Sequence, residues 1–261
     1  MPRFLRPLNP IPPRSRAALG LACFVLVLAS WAGVTMGGLV RPLYLADPLR
    51  TLQAGYTLFV QYDFLFDIGM TIWRVVGGFV VAALVAIPLG ILMGAFKPVE
   101  AFFEPFVSFG RYLPASAFIP LLILWAGIGE AEKLSVIFIG AVFQLTLMAA
   151  VIVGGVRVDL IEASYTLGTK GFRVIRRVML PAAAPQLAEA LRLVLGWAWT
   201  YVIVAELVGA ETGIGHMIMD SQRILDTGQM IFGIFVIGVI GLVSDLAFKQ
   251  VNHRLFFWHF G

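Results

Sequence analysis

Charge is what this 261-residue chain has least of: Asp, Glu, Lys and Arg together make up 13% of it, about half the share of a soluble domain. Apolar residues make up 60%. A water-soluble fold of this length cannot cover its outer surface with so few polar groups, whereas lipid removes the need. Cysteine occurs once, as Cys23 inside an apolar run, which excludes a disulfide framework and a cysteine metal site. His216, His253 and His259 are dispersed, with no ligand spacing among them. None of the four lysines follows a glycine, so the Gly-Lys-Ser/Thr core of a phosphate-binding loop is missing and the chain has no ATP site of its own. Catalytic clusters of His, Asp, Glu or Cys are also missing, which argues against a membrane enzyme. The formal charge of +4 does not point to nucleic acid, because the basic residues gather at the ends of apolar stretches, as in the loops of membrane proteins.

Long apolar runs are what the chain has instead. Its 27 glycines and 14 prolines suit membrane helices better than soluble ones. A helix needs about 20 apolar residues to cross the hydrocarbon core. Six stretches qualify: Ala17 to Val40, Ile72 to Phe96, Phe102 to Ala126, Leu134 to Val156, Ala184 to Val208 and Met230 to Val251. The first follows Arg3, Arg6, Arg14 and Arg16 and is longer than a signal-peptide core, so it reads as a retained anchor. The expected fold is all-α and polytopic. Residues 1–16 form a basic cytoplasmic N-terminus and 17–40 the first span. Residues 41–71 form an extracytoplasmic segment with an interfacial helix, and 72–261 a core of five spans. With both termini in the cytoplasm, twelve basic residues fall inside and five outside (Arg41, Arg50, Arg74, Lys133 and Arg223). That asymmetry follows the positive-inside rule.

The largest cytoplasmic loop is then 157–181, VRVDLIEASYTLGTKGFRVIRRVMLP with its leading Val156. Two short helical stretches flank Gly168, and Pro181 is expected to end the second. Leu160, Ala163 and Leu167 share one side of the first. Phe172, Ile175 and Val178/Met179 make an apolar stripe on the second, with Arg173, Arg176 and Arg177 opposite. Such a pair fits either a membrane surface or a groove on a partner protein.

The loop resembles the EAA loop of ATP-binding-cassette importer permeases. That pattern is Glu-Ala-Ala, three residues, Gly, nine residues, then Ile-x-Leu-Pro. Here Glu162-Ala163-Ser164, Gly168 and Val178-Met179-Leu180-Pro181 keep every spacing, with Ser164 and Val178 as conservative departures. The resemblance implies the type I importer permease (MetI-like) fold with six transmembrane helices. It also implies that Glu162, Ala163, Ser164, Gly168, Leu180 and Pro181 belong to a loop that couples to a separate ATPase. The run from Arg111 to Leu134, LRLVLGWAWTYVIVAEL and GAETGIGHMI are similar to the nitrate, sulfonate and taurine branch. That branch implies a permease homodimer, two ATPase subunits holding ATP and Mg, and a periplasmic or lipid-anchored binding protein. Its substrates are small oxyanions or organosulfonates: nitrate, taurine, alkanesulfonates, bicarbonate.

Four residues are candidates for the substrate path, each with a plainer role. Arg111 either attracts an anion or snorkels to the interface. Gln144 is polar at mid-span, where an interhelical hydrogen bond competes with substrate contact. Trp197 either lines the path or packs, and Glu206 either meets substrate or bonds backbone near the outer end. Glu189 and Arg192, three residues apart, read as an ion pair. The competing function is a secondary transporter or channel, which calls for inverted repeats that the halves do not show.

Overall fold

The computed structural model describes residues 12–260. Arg3, Arg6 and most of the basic N-terminal segment lie outside the described residues. Within them the chain is helical, and five helices are long and apolar enough to cross a membrane, or six if one bent pair counts as a single span. The chain divides into two compact units, one holding the residues up to Tyr62 with Ser221–Phe232, the other Asp63–Asp220 with Gly233–Gly261.

In the first unit, α1 (Pro13–Met36) starts on Pro13 and none of its most apolar window is buried. Trp31 Nε1 donates to Ala46 O at 3.0 Å. Helix α2 (Pro48–Gln61) lies within the segment 41–71, where a helix was expected. Asp47 caps it by accepting from Arg50 N at 2.9 Å, and Pro48 occupies the first turn, where its missing N–H is harmless. Its Thr51, Gly55 and Leu58 face inward, and the Phe232 ring fills the space over Gly55. The outward face carries Leu49, Leu52 and Tyr56. Residues 42–57 and 224–228 line an open cavity of about 580 Å³.

The second unit is built on α3 (Phe64–Ala95), α6 (Glu130–Gly154) and α9 (Leu180–Leu207). Helix α3 begins at Phe64 rather than Ile72, so part of the expected extracytoplasmic segment is helical. Small residues on α3 bring α6 in: a Cβ at Gly90 would lie 2.7 Å from Thr146 O, and one at Gly94 2.5 Å from Ala150 O. Such backbone proximity is how membrane helices gain dispersion contact without a hydrophobic drive. Val75, Phe79, Ala82 and Ala86 of α3 close the core with Ile137, Ala141 and Leu145 of α6 and Ala190, Val194, Ala198 and Val202 of α9. The four α9 positions recur every four residues, one face of a helix.

The expected span from Phe102 to Ala126 is a broken one. Helix α4 (Lys97–Gly110) and α5 (Ile119–Ala126), led by a 3-10 turn at Ala115–Phe118, meet at 83°. Pro114 lies at the break, where its ring restricts Leu113 to non-helical backbone. Beyond α6 come α7 (Val158–Thr166) and α8 (Phe172–Val174), the latter running through a π turn, Ile175–Met179, straight into α9. The final elements are α10 (Ile214–Arg223), α11 (Thr227–Leu255) and α12 (Phe257–Phe260).

Two cations of the outside tally are not loop charges. Arg74 is buried inside α3, and Lys133 is buried in the first turn of α6, 3.6 Å from Glu132. Both are held by carboxylates, which is why apolar helices tolerate them.

Candidate functional site

The loop 157–181 is built around two left-handed glycines. Helix α7 ends in a Schellman motif: Thr169 N–H donates to Ser164 O and Gly168 N–H to Tyr165 O, both at 2.9 Å. Gly168 takes φ +82 with no neighbour within 4 Å of a Cβ, so the glycine is demanded by backbone conformation and not by crowding. Gly171, φ +59, starts the second stretch. Arg157 and Asp159 pair at the head of α7, and the hydrogen bond from Arg157 holds the Asp159 carboxyl below its usual range.

Of the expected coupling residues, Glu162 and Ala163 are exposed, and Ser164 is buried with Oγ donating to Ile161 O at 2.7 Å. Leu160 is 42% exposed and Leu167 85%, so the first apolar stripe faces outward. Ile161 is turned inward instead, against a cluster with Val174, Ile175 and Met179. The second stripe divides: Ile175 and Met179 are buried, Phe172 stands out, and Arg173, Arg176 and Arg177 are exposed as expected. Leu180 is half-buried and Pro181 exposed. Pro181 does not end a helix. It occupies the first turn of α9, and the wider π turn immediately before it accommodates a ring that a regular helix rejects.

At the opposite end of α6 and α9 lies a buried charge cluster. Arg74 places all five N–H donors: Nε and Nη2 on Glu130 at 2.8 and 2.6 Å, Nη1 on Glu206 at 2.8 Å, and the remaining two on Thr212 O and Oγ1 at 2.7 and 2.9 Å. Glu206 also accepts from Thr71 Oγ1 at 2.9 Å and Gly215 N at 2.8 Å. Asp67 receives Gly213 N at 2.6 Å, and Ile214 N donates to Thr71 Oγ1 at 2.9 Å. The network fastens the segment Gly209–Gly215 to α3, α6 and α9. Gly213, φ +111, fits only without a Cβ, which would sit 2.5 Å from the Glu206 carboxyl carbon.

The four path candidates are scattered. Glu206 is 1% exposed and enclosed in the network just described. Arg111 follows the last turn of α4 at the bend, stacks at 4.7 Å on the Tyr112 ring and donates to its hydroxyl at 2.7 Å. Gln144 is half-buried in α6. Trp197 is 45% exposed, whereas Trp199 is buried with Nε1 donating to Ser244 Oγ at 3.0 Å. The Glu189–Arg192 pair is present at 3.0 Å and gains Asp245, 2.9 Å from Arg192 Nε. Sequence reasoning missed Asp67, Thr71 and Glu130 and misplaced Arg74. The available signal was an arginine inside the apolar run Ile72 to Phe96, which requires a carboxylate partner.

Several apolar helices of spanning length, with a capped polar loop between two of them, define a polytopic membrane protein. Residues 86–257 match the family described as binding-protein-dependent transport system inner membrane component. The chain belongs to that family, the permease subunits of ATP-binding-cassette importers. It is 34% identical over 242 residues to a probable ABC transporter permease protein of Brucella melitensis, covering 92% of this chain and 96% of the other. It is 30% identical over 253 residues to the taurine transport system permease protein TauC of Escherichia coli, covering 95% and 92%. The likeness to TauC falls in the sulfonate and taurine branch, as the sequence resemblance implied. The inward-facing MetNI methionine ABC transporter shares the fold, with a TM-score of 0.65 at 19% identity over 74% of this chain and 97% of that one.

Proposed function

We propose that this permease subunit forms the translocation path for a small organosulfonate or related oxyanion. It couples to two ATPase subunits through the loop 157–181. A second copy of the permease completes the path, a periplasmic or lipid-anchored binding protein delivers the substrate, and ATP and Mg are held by the ATPase. The loop and both termini are on the cytoplasmic side of the inner membrane. The observation that carries the coupling role is the outward apolar face of α7. Leu160, Ala163 and Leu167 are open beside a rigid Schellman cap, while Ile161 and Ser164 anchor the same helix to the core. An amphipathic helix held this way fits a groove on a partner. The similarity to a taurine permease supports the sulfonate class.

Co-purification of the ATPase with tagged permease tests the coupling. Leu160→Asp with Leu167→Asp is expected to abolish capture of the ATPase while the permease still inserts and purifies. Capture at the unaltered ratio refutes the docking role of this face.

A further inference from the structure

Glu189, Arg192 and Asp245 form a charged cluster inside two of the apolar stretches that the coupling loop and the Arg74 network leave unexplained. Arg192 lies about 12 Å inside the stretch Ala184 to Val208, measured from its loop-side end at 1.5 Å per residue. Asp245 lies about 9 Å inside the stretch Met230 to Val251, measured from its C-terminal end. All three side chains are partly open: 34% for Glu189, 22% for Arg192 and 42% for Asp245. Charges at that depth are expensive against lipid and face protein or water. Trp197, on the same helix, is also open.

Arg192 meets its carboxylates as ion pairs, with Nε buried and without a hydrogen bond, and one donor edge and one acceptor oxygen are left unused. Arg192 Nη1 meets Glu189 Oε2 at 3.0 Å and Nε lies 2.9 Å from Asp245 Oδ1, while Asn252 Nδ2 donates to Glu189 Oε1 at 3.1 Å. Among the described residues, Arg192 Nη2 and Asp245 Oδ2 have no partner. A guanidinium edge beside an open carboxylate oxygen complements a molecule that carries an anionic and a cationic end together.

We propose that the Glu189–Arg192–Asp245 cluster faces the aqueous path and is a station for zwitterionic substrate, Arg192 receiving the sulfonate and Asp245 the ammonium of an aminoalkanesulfonate. The proposal rests on the sulfonate reading above. Its test uses the complete transporter in proteoliposomes, with uptake of radiolabelled taurine and of ethanesulfonate, which lacks the amine, measured in one preparation. Asp245→Asn is expected to lower taurine uptake about tenfold, the weight of one hydrogen bond to a charged group, and ethanesulfonate uptake less than twofold. Arg192→Gln is expected to lower both. The ratio of the two rates is insensitive to how much transporter survives substitution. With Cys23→Ala and Asp245→Cys, a charged methanethiosulfonate reagent is expected to label the cysteine from water. Equal loss of both substrates in Asp245→Asn, or an unlabelled cysteine, overturns the inference and leaves the sulfonate reading standing. An unaltered transporter that moves neither sulfonate overturns both.

Discussion

Replacing Arg74 by Met removes the one cation that offsets Glu206, whose side chain has no exposure at all. Breaking a buried ion pair by deleting one partner costs about 3–5 kcal/mol, because the remaining charge is stranded. Thr71 and Gly215 still donate to Glu206, which places the expected loss toward the lower figure. The Glu130 arm adds little, since that carboxylate is 44% exposed and screened, in the range of about 0–1 kcal/mol. For a chain of this size each kcal/mol moves the melting midpoint by about 2–4 °C, so Arg74→Met lowers it by about 6–20 °C. Intrinsic tryptophan fluorescence of the protein in lipid nanodiscs reads the transition. The double variant Arg74→Met, Glu206→Met removes both charges and is expected to recover much of the loss. A midpoint within about 2 °C of the unaltered protein for Arg74→Met refutes the reasoning. So does a double variant that melts no higher than the single.

Gly168→Val forces a β-branched residue into the left-handed region at a strain of about 1–2 kcal/mol, whereas Gly168→Asn is tolerated. Limited proteolysis of the loop should rank them valine, asparagine, glycine from most to least cut. Gly94→Val sets a side chain against Ala150 O and Gly154 N, and overpacking of that kind costs about 1–3 kcal/mol, seen as a lower melting midpoint. Gly20→Val, with open space around it, should melt like the unaltered protein. Because the Asp159 carboxyl is depressed by Arg157, the pair supports the head of α7 above the ordinary carboxylate range and is lost as pH falls below about 4. Hydrogen exchange at the first turn of α7 should therefore be unchanged between pH 6 and 8 and rise in acid beyond the intrinsic rate.

Much of this was legible because lipid imposes simple rules. Apolar runs mark the spans, and the EAA spacing locates the loop, since each depends on residues close in sequence. The buried cluster was not legible for the opposite reason. Arg74, Glu130 and Glu206 lie on three helices, and only packing brings them together. The sequence rule that assigns cations to loops therefore misplaced Arg74 and Lys133. The stripe of the second loop helix failed at Phe172 because that residue opens α8 directly after Gly171, where periodicity does not show whether the core reaches the first turn. In α7 the apolar stripe was read correctly as a face, yet nothing local distinguishes a face meant for the core from one meant for a partner. The break between α4 and α5 falls at Pro114, a residue visible in the sequence, while its 83° angle is a tertiary result.

The continuity of Phe172–Leu207 carries a mechanical consequence. Its 36 residues make a rod about 54 Å long, well beyond the roughly 30 Å of hydrocarbon. One end emerges from the loop 157–181 and the other carries Glu206 into the Arg74 cluster. A tilt of about 5° around the rod's centre displaces each end by about 2 Å, enough to part the contacts of Glu206 now at 2.8–2.9 Å. The rod therefore has two options when its first turn is pushed: carry Gly209–Gly215 along with it, or pull Glu206 away from Arg74.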